Sequence, residues 1–308
     1  MKLLVTGGAG FIGSHLCDFL IKHSHSVVVV DNLSTGTLAN LSQVMEKVVF
    51  YNENIEGFDF NKAGRLDAVV HLAAQVSVPL SVTNFGTSSA SNLLGMTSII
   101  EYCRMSSTPL IYASSSAIYG NLTLGNDEDS GIDLLSPYAA DKYAMEIYTK
   151  ISYKLYELSS IGLRFFNVYG PRQDPSSPYS GVISIFADSV LKGKDIIING
   201  GYQTRDFVYV NDVVNVIFRA VKLASEKTVC EVSNVLTGES VTINYLADQM
   251  VHLVGEKVGV EYQDLPSGDP RQSDGTTQKM VSLFDVELKN FTKLKSGLLE
   301  TIKFLRVR

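Results

Sequence analysis

Short β-branched runs without polar alternation recur through the first half of the chain. They are KLLV at residues 2–5, SVVVV from Ser26 to Val30, KVVF from Lys47 to Phe50 and DAVVHLAA from Asp67 to Ala74. TPLIYASS, Thr108 to Ser115, and SSIGLRFF, Ser159 to Phe166, continue the series. Continuous apolar character is what a strand covered on both faces needs, so these segments predict parallel strands. Helical spacing of apolar positions appears between them, clearest over Phe11 to Lys22, Ser88 to Arg104 and Tyr138 to Leu155. Strand and helix in alternation predict an α/β fold, a doubly wound parallel sheet with right-handed crossovers. After Gly170 the texture changes, with three prolines between Gly170 and Gly181 predicting an irregular loop. Helices and short strands then alternate less regularly. The expected division is a first domain over residues 1–167 and a smaller C-terminal α/β lobe over 168–308, with 204–225 returning to the first.

Composition narrows the class. The chain has 308 residues, 45% hydrophobic and 19% charged, which is enough for a large core. A net charge of -6 and the lack of any basic run of five argue against nucleic acid as a partner. Cys17, Cys103 and Cys230 lie far apart and read as reduced thiols, and no histidine spacing suggests a metal site. His71, at a strand end, is the histidine closest to the expected site, with packing as its expected role. No apolar run reaches the roughly 18 residues a membrane span needs. MKLLVTGGAG goes directly from strand to glycine turn without a signal peptide, so a cytoplasmic protein is expected.

Two stretches carry chemistry. VTGGAGFIGSH places Gly7, Gly10 and Gly13 directly after a strand and at the start of a helix. Glycines there let backbone approach a pyrophosphate, and the free amides of the helix N-terminus stabilise its charge. Tight strand-to-helix turns also use glycine, but Asp31 follows Gly13 by eighteen residues at the end of the second strand. An acid there hydrogen-bonds ribose hydroxyls and repels a 2′-phosphate, which selects NAD over NADP in a Rossmann sheet. The second stretch is SPYAADKYAMEIY, where Tyr138 and Lys142 stand one helical turn apart, twenty-two residues after Ser116 in YASSSAIYG. An aromatic four residues before a lysine is common, so spacing alone does not decide. With Ser116 at a strand's carboxyl end, the three form a proton-handling set. Lys142 and a positive nicotinamide would draw Tyr138 down from about 10, and Ser116 would steady developing charge.

The motifs TGGAGFIGSH, DNLSTG, HLAAQVSV, SSSAIYG, SPYAADK, RFFNVYGPRQDP and TRDFVYVNDV run in order from residue 2 to about 275. Together they resemble the extended short-chain dehydrogenase/reductases, and within them the nucleotide-sugar 4-epimerases of the UDP-galactose 4-epimerase type. The resemblance implies NAD regenerated each cycle while a 4-keto sugar turns over. It assigns cofactor contacts to Gly7, Gly10, Phe11, Ile12 and Gly13, to Asp31, Asn32, Ser34 and Gly36, and to Asn54 and Ile55. Leu72, Ala73, Ala74, Tyr138 and Lys142 complete that set. It assigns UDP-sugar contacts to Ser116, Asn167 and Arg205, and to Gly181 and Val182 at a helix start. Ser273 takes the place of a residue that limits room at the sugar's C2, and its small size favours the UDP-GlcNAc/UDP-GalNAc pair, with the unacetylated pair also open. Related dehydratases carry an Asp-Glu pair where this chain has Ala117 and Ile118, which favours epimerisation. Departures include Asn54 for an aspartate, Asn84-Phe85 for Asp-Pro, and Pro266 for a diphosphate arginine that Arg271 would replace. Relatives pair the helices at 88–104 and 138–155, so a homodimer is expected. Another oxidoreductase or decarboxylase of the superfamily, or a non-catalytic NAD-binding regulator, remains open.

Overall fold

The computed structural model describes residues 1–129, 131–177, 180–265 and 269–307; the expectation placed on Pro266 lies outside them. In chain order the elements begin β1 (Lys2–Thr6), α1 (Phe11–Lys22), β2 (Ser26–Val30), β3 (Val48–Tyr51) and β4 (Ala68–His71). Next come α2 (Val78–Thr83), α3 (Phe85–Ser106), β5 (Leu110–Ser115), α4 (Pro137–Tyr156) and β6 (Ser160–Phe165). There follow β7 (Asn167–Tyr169), α5 (Val182–Leu191), β8 (Ile196–Asn199), β9 (Thr204–Tyr209), α6 (Val210–Glu226) and β10 (Cys230–Val235). Last are β11 (Ser240–Thr242), α7 (Ile243–Val254), β12 (Val260–Gln263), α8 (Gln278–Phe284) and α9 (Leu294–Arg306).

A seven-stranded sheet has the order β10-β6-β5-β4-β1-β2-β3. The pairs β1–β2, β1–β4, β2–β3 and β4–β5 are all parallel. From β1 the chain winds outward through β2 and β3, then reverses to β4, so the switch point falls between β1 and β4. That is where a doubly wound sheet opens a crevice for a ligand. Leu3 to Val5, Val27 to Val30 and Ala68 to Val70 are buried throughout, which is why their sequences do not alternate.

The helix ends follow local rules. The Ser136 hydroxyl accepts from the Ala139 amide, Pro137 occupies the first turn, and α4 stops at Glu157 in the left-handed region (φ 54°). α3 is capped in the same way at Ser107, at φ 52°.

Contacts divide the chain into two units. The first holds residues 1–118, 134–164 and 214–233; the second holds 119–133, 165–213 and 234–308. The expected boundary at 167 and the expected return of 204–225 differ from this division. β9 lies in a separate three-stranded sheet, order β11-β9-β7, so only the chain from Val214 groups with the first unit. The second unit also carries the parallel pair β12–β8. Among the described residues no helix is long and apolar enough to cross a membrane, and no histidine, cysteine or acid cluster could hold a metal ion.

Candidate active site

The glycine turn after β1 is built by exclusion of side chains. A Cβ on Gly7 (φ 69°) would stand 2.8 Å from the Ala73 amide nitrogen, and one on Gly13 would meet the Gly7 carbonyl. Gly10 caps α1 without a side-chain bond, and Phe11 and Ile12 form its first turn, whose amides have no partner within the helix. Asp31 holds this turn directly: one carboxylate oxygen accepts from the Ala9 amide at 2.9 Å and the other from Leu33 at 2.8 Å. The Asn32 carbonyl oxygen accepts from the Ser34 amide at 3.0 Å, and its amide donates to Asn54 at 2.8 Å. Gly36 lies so close that a Cβ would come within 2.8 Å of Ala9. Ile55 is buried in the core with Met96 and Ile99 of α3.

After β4, the Leu72 and Ala73 amides donate to the Thr6 hydroxyl at 3.2 and 3.1 Å, and Ala74 follows them. With its lone pairs so used, that hydroxyl donates to His71 Nδ1, 2.8 Å away. Burial, aided by the charge of Lys142, pushes His71 down to about 3, so the ring is neutral and packs.

On α4, Lys142 is buried and donates to the Ala113 carbonyl at 2.8 Å, with its ammonium 5.8 Å from the centre of the Tyr138 ring. Burial pushes Lys142 down to about 8, against the pull of Asp141. The Tyr138 phenol stands above its ordinary value because burial disfavours its anion; a hydrogen bond with Ser115 opposes this and Asp141 reinforces it. Sequence reasoning expected the phenol to be lowered, and the protein's own groups do the reverse. The structure also brings Ser115 to the phenol, whereas Ser116 opens a short 3-10 turn one residue on and is half-buried.

Sequence reasoning missed Ser115 and also Asp141 with its partner Asn92. Asp141, buried beside Lys142, accepts from Asn92 of α3 at 3.1 Å. Asn92 in turn accepts from the Gln75 amide at 2.8 Å and donates to the Gln75 carbonyl at 3.2 Å. Three successive serines at a strand end leave the choice among them undetermined, and Asp141 needs the pairing of α3 with α4 to become visible.

The second unit holds the other expected contacts. Asn167 donates to the Asp206 carbonyl at 3.1 Å. Gly181 caps α5, where a Cβ would stand 3.1 Å from the Gln173 side chain, and Val182 is the first residue of the helix. The Arg205 guanidinium, expected to meet a phosphate, pairs with Asp269 at 2.6 Å and donates to the Thr204 carbonyl at 2.8 Å. Arg271 and Ser273 follow on a segment whose carbonyls accept from the Thr204 and Asp206 amides, at 3.1 and 3.3 Å.

Residues 3–235 match the NAD dependent epimerase/dehydratase family. The chain belongs to that family. A putative UDP-glucose 4-epimerase of Methanocaldococcus jannaschii is 41% identical over 260 residues, covering 82% of each chain. The solved UDP-glucose 4-epimerase of Thermotoga maritima, with UDP-glucose, is 36% identical at TM-score 0.92, covering 100% of this chain and 99% of that one. A UDP-N-acetylglucosamine 4-epimerase of Methanobrevibacter ruminantium, in complex with UDP-N-acetylmuramic acid, is 34% identical at TM-score 0.92, covering 99% and 98%.

As an NAD-dependent enzyme of the epimerase type, the chain has a cradle that fits its cofactor. The glycine turn leaves room for backbone to approach a pyrophosphate at the opening helix amides, and Asp31 retains lone pairs for ribose hydroxyls.

Proposed function

We propose that this chain is an NAD-dependent UDP-hexose 4-epimerase that interconverts UDP-GlcNAc and UDP-GalNAc, and also the unacetylated UDP-glucose and UDP-galactose. The observation that carries the reading is a phenol on α4 held by a strand-end serine beside a buried lysine, with no second acid and base following the serines. Ala117 and the fully buried Ile118 stand there, and neither moves protons. NAD, when bound, supplies the hydride acceptor and donor for C4 of the sugar. Tyr138 takes the proton from the 4-hydroxyl and gives it back. Ser116 steadies the sugar oxygen, and Ser115 orients the phenol. Lys142, anchored on the Ala113 carbonyl, provides positive charge from within the protein that favours the phenolate.

In the same reading Gly7, Gly10, Gly13 and Asp31 hold NAD, while Asn167, Arg205, Arg271 and the start of α5 hold the UDP diphosphate. The five donors of Arg205 allow it to take a phosphate oxygen while it keeps Asp269. The small Ser273 leaves room for an N-acetyl group. The chain also pairs with a second copy through α3 and α4, whose outer faces expose Leu94, Ile147, Ile151 and Leu155.

The test is incubation of the purified protein, without added NAD, with UDP-GlcNAc, UDP-glucose or UDP-glucuronic acid, following C4 configuration by proton NMR. Interconversion of the first two without accumulation of NADH is expected. Inversion of the uronate alone, or NADH release with loss of carboxylate, would replace this reading by another sugar or another reaction.

A further inference from the structure

Asn234, near the end of β10, is fully buried and uses every polar group of its side chain. Its amide nitrogen donates to the carbonyls of Gly125 and Thr276, at 3.0 and 3.2 Å. Its carbonyl oxygen accepts from the Tyr119 hydroxyl at 2.7 Å. The Asn234 main-chain amide donates to one oxygen of Asp127 at 2.7 Å, and the other oxygen of Asp127 takes the Thr276 hydroxyl at 3.0 Å. One asparagine thus joins two segments about 150 residues apart in sequence.

The same two segments pair through their backbones. The Gly125 amide donates to the Asp274 carbonyl at 2.8 Å, and the Thr276 amide to the Gly125 carbonyl at 2.9 Å. The approach is closed to other residues: a Cβ on Gly125 would stand 2.5 Å from the Tyr119 ring, and one on Gly275 2.5 Å from the Phe166 ring. On the N-terminal side, the carbonyls of Arg271 and Ser273 are taken by amides of β9. Residues 271–276 are therefore fastened to β9 at one end and to the 119–127 segment at the other.

We infer that Asn234 is a positioning residue for substrate selectivity: by fastening residues 274–276 it fixes where Arg271 and Ser273 stand. The inference rests on the substrate reading above. Asn234→Asp is the sharpest variant, because it keeps volume and the Tyr119 partner but sets a carboxylate against two carbonyls. Kinetics on UDP-GlcNAc and UDP-glucose should show the ratio of their kcat/KM values shifted about tenfold, chiefly through KM, with kcat changed less than about threefold. Hydrogen exchange should show the Gly125 and Thr276 amides losing protection while those of β1 and β4 keep theirs. An unchanged ratio, or an equal fall in kcat on both sugars, would overturn it. Should Asn234→Asp not fold, Thr276→Val, which removes the hydroxyl's bonds to Asp127 and Asn126 and leaves the Thr276 carbonyl for Asn234, is expected to shift the ratio in the same direction by a smaller factor, and no shift would overturn it. A wild-type protein inert on both sugars would instead fail the substrate reading. The exchange measurement then decides alone, and retained protection at Gly125 and Thr276 in the variant would refute the role of Asn234.

Discussion

Tyr138 carries two opposed demands. Burial and Asp141 hold its proton on, while the hydrogen bond with Ser115 favours letting it go. The two serines are separable. Ser115→Ala and Ser116→Ala should each lower kcat by about tenfold or more. Only Ser115→Ala should also move the acidic limb of the pH profile upward, because Ser115 bonds the phenol whereas the proposal places Ser116 on the sugar oxygen. A limb unmoved in Ser115→Ala would contradict that assignment. The proposed mechanism assigns the other limb to Lys142. Burial brings it down to about 8, so it is charged below that pH and loses its proton as pH rises through it. In the proposed mechanism that charge supports the phenolate, so kcat/KM should fall above pH of about 8, well before the ordinary lysine range. Lys142→Met should have low activity and lack this descending limb; a wild-type profile flat to pH of about 10 would contradict the role.

Elements were legible where local pattern decides them. The unalternating strands and the Gly7–Gly13 turn state their own burial and geometry, so the parallel sheet follows from residues 1–166. α4 begins one residue before its expected start, at Pro137, because Ser136 caps it. The partners across elements were not legible. Glu146 on α4 takes Arg164 of β6 at 2.7 and 2.9 Å, fully inside the first unit, and also accepts from Ser114 of β5 at 2.5 Å. A glutamate and an arginine eighteen residues apart reveal no pairing until helix and strand are placed. The outer face of α4 has its own consequence. Ile147, Ile151 and Leu155 recur every fourth residue and are 42%, 46% and 65% exposed, a stripe that does not cover the sheet. Ile151→Glu should convert a dimer to a monomer at micromolar concentration, read by sedimentation, with little change in secondary structure. A monomeric wild type, or a variant that stays dimeric, would contradict pairing through α4.

For the molecule as a whole, chain order and contact grouping diverge. Residues 119–133 leave the first unit just after the serine turn and group with the second, and 214–233 make the reverse passage. Periodicity reads neighbours along the chain, so it placed the Pro-rich change of texture after Gly170 but not the excursion at 119–133. The bonds from Asn234 and Asp127 that hold this excursion span more than 100 residues. The candidate site was legible in the same uneven way: residue type and spacing single out Tyr138, Lys142 and Asp31 as candidates, whereas the contacts of Ser115 and Asp141 required coordinates. In the proposed mechanism Tyr138 moves the proton at the sugar's C4 oxygen. That role is tested most directly by Tyr138→Phe, assayed by proton NMR on UDP-GlcNAc alongside a measurement of bound NAD. Turnover should fall by at least about a thousandfold, with NAD retained and the fold unchanged. Interconversion near the wild-type rate in that variant would contradict that role.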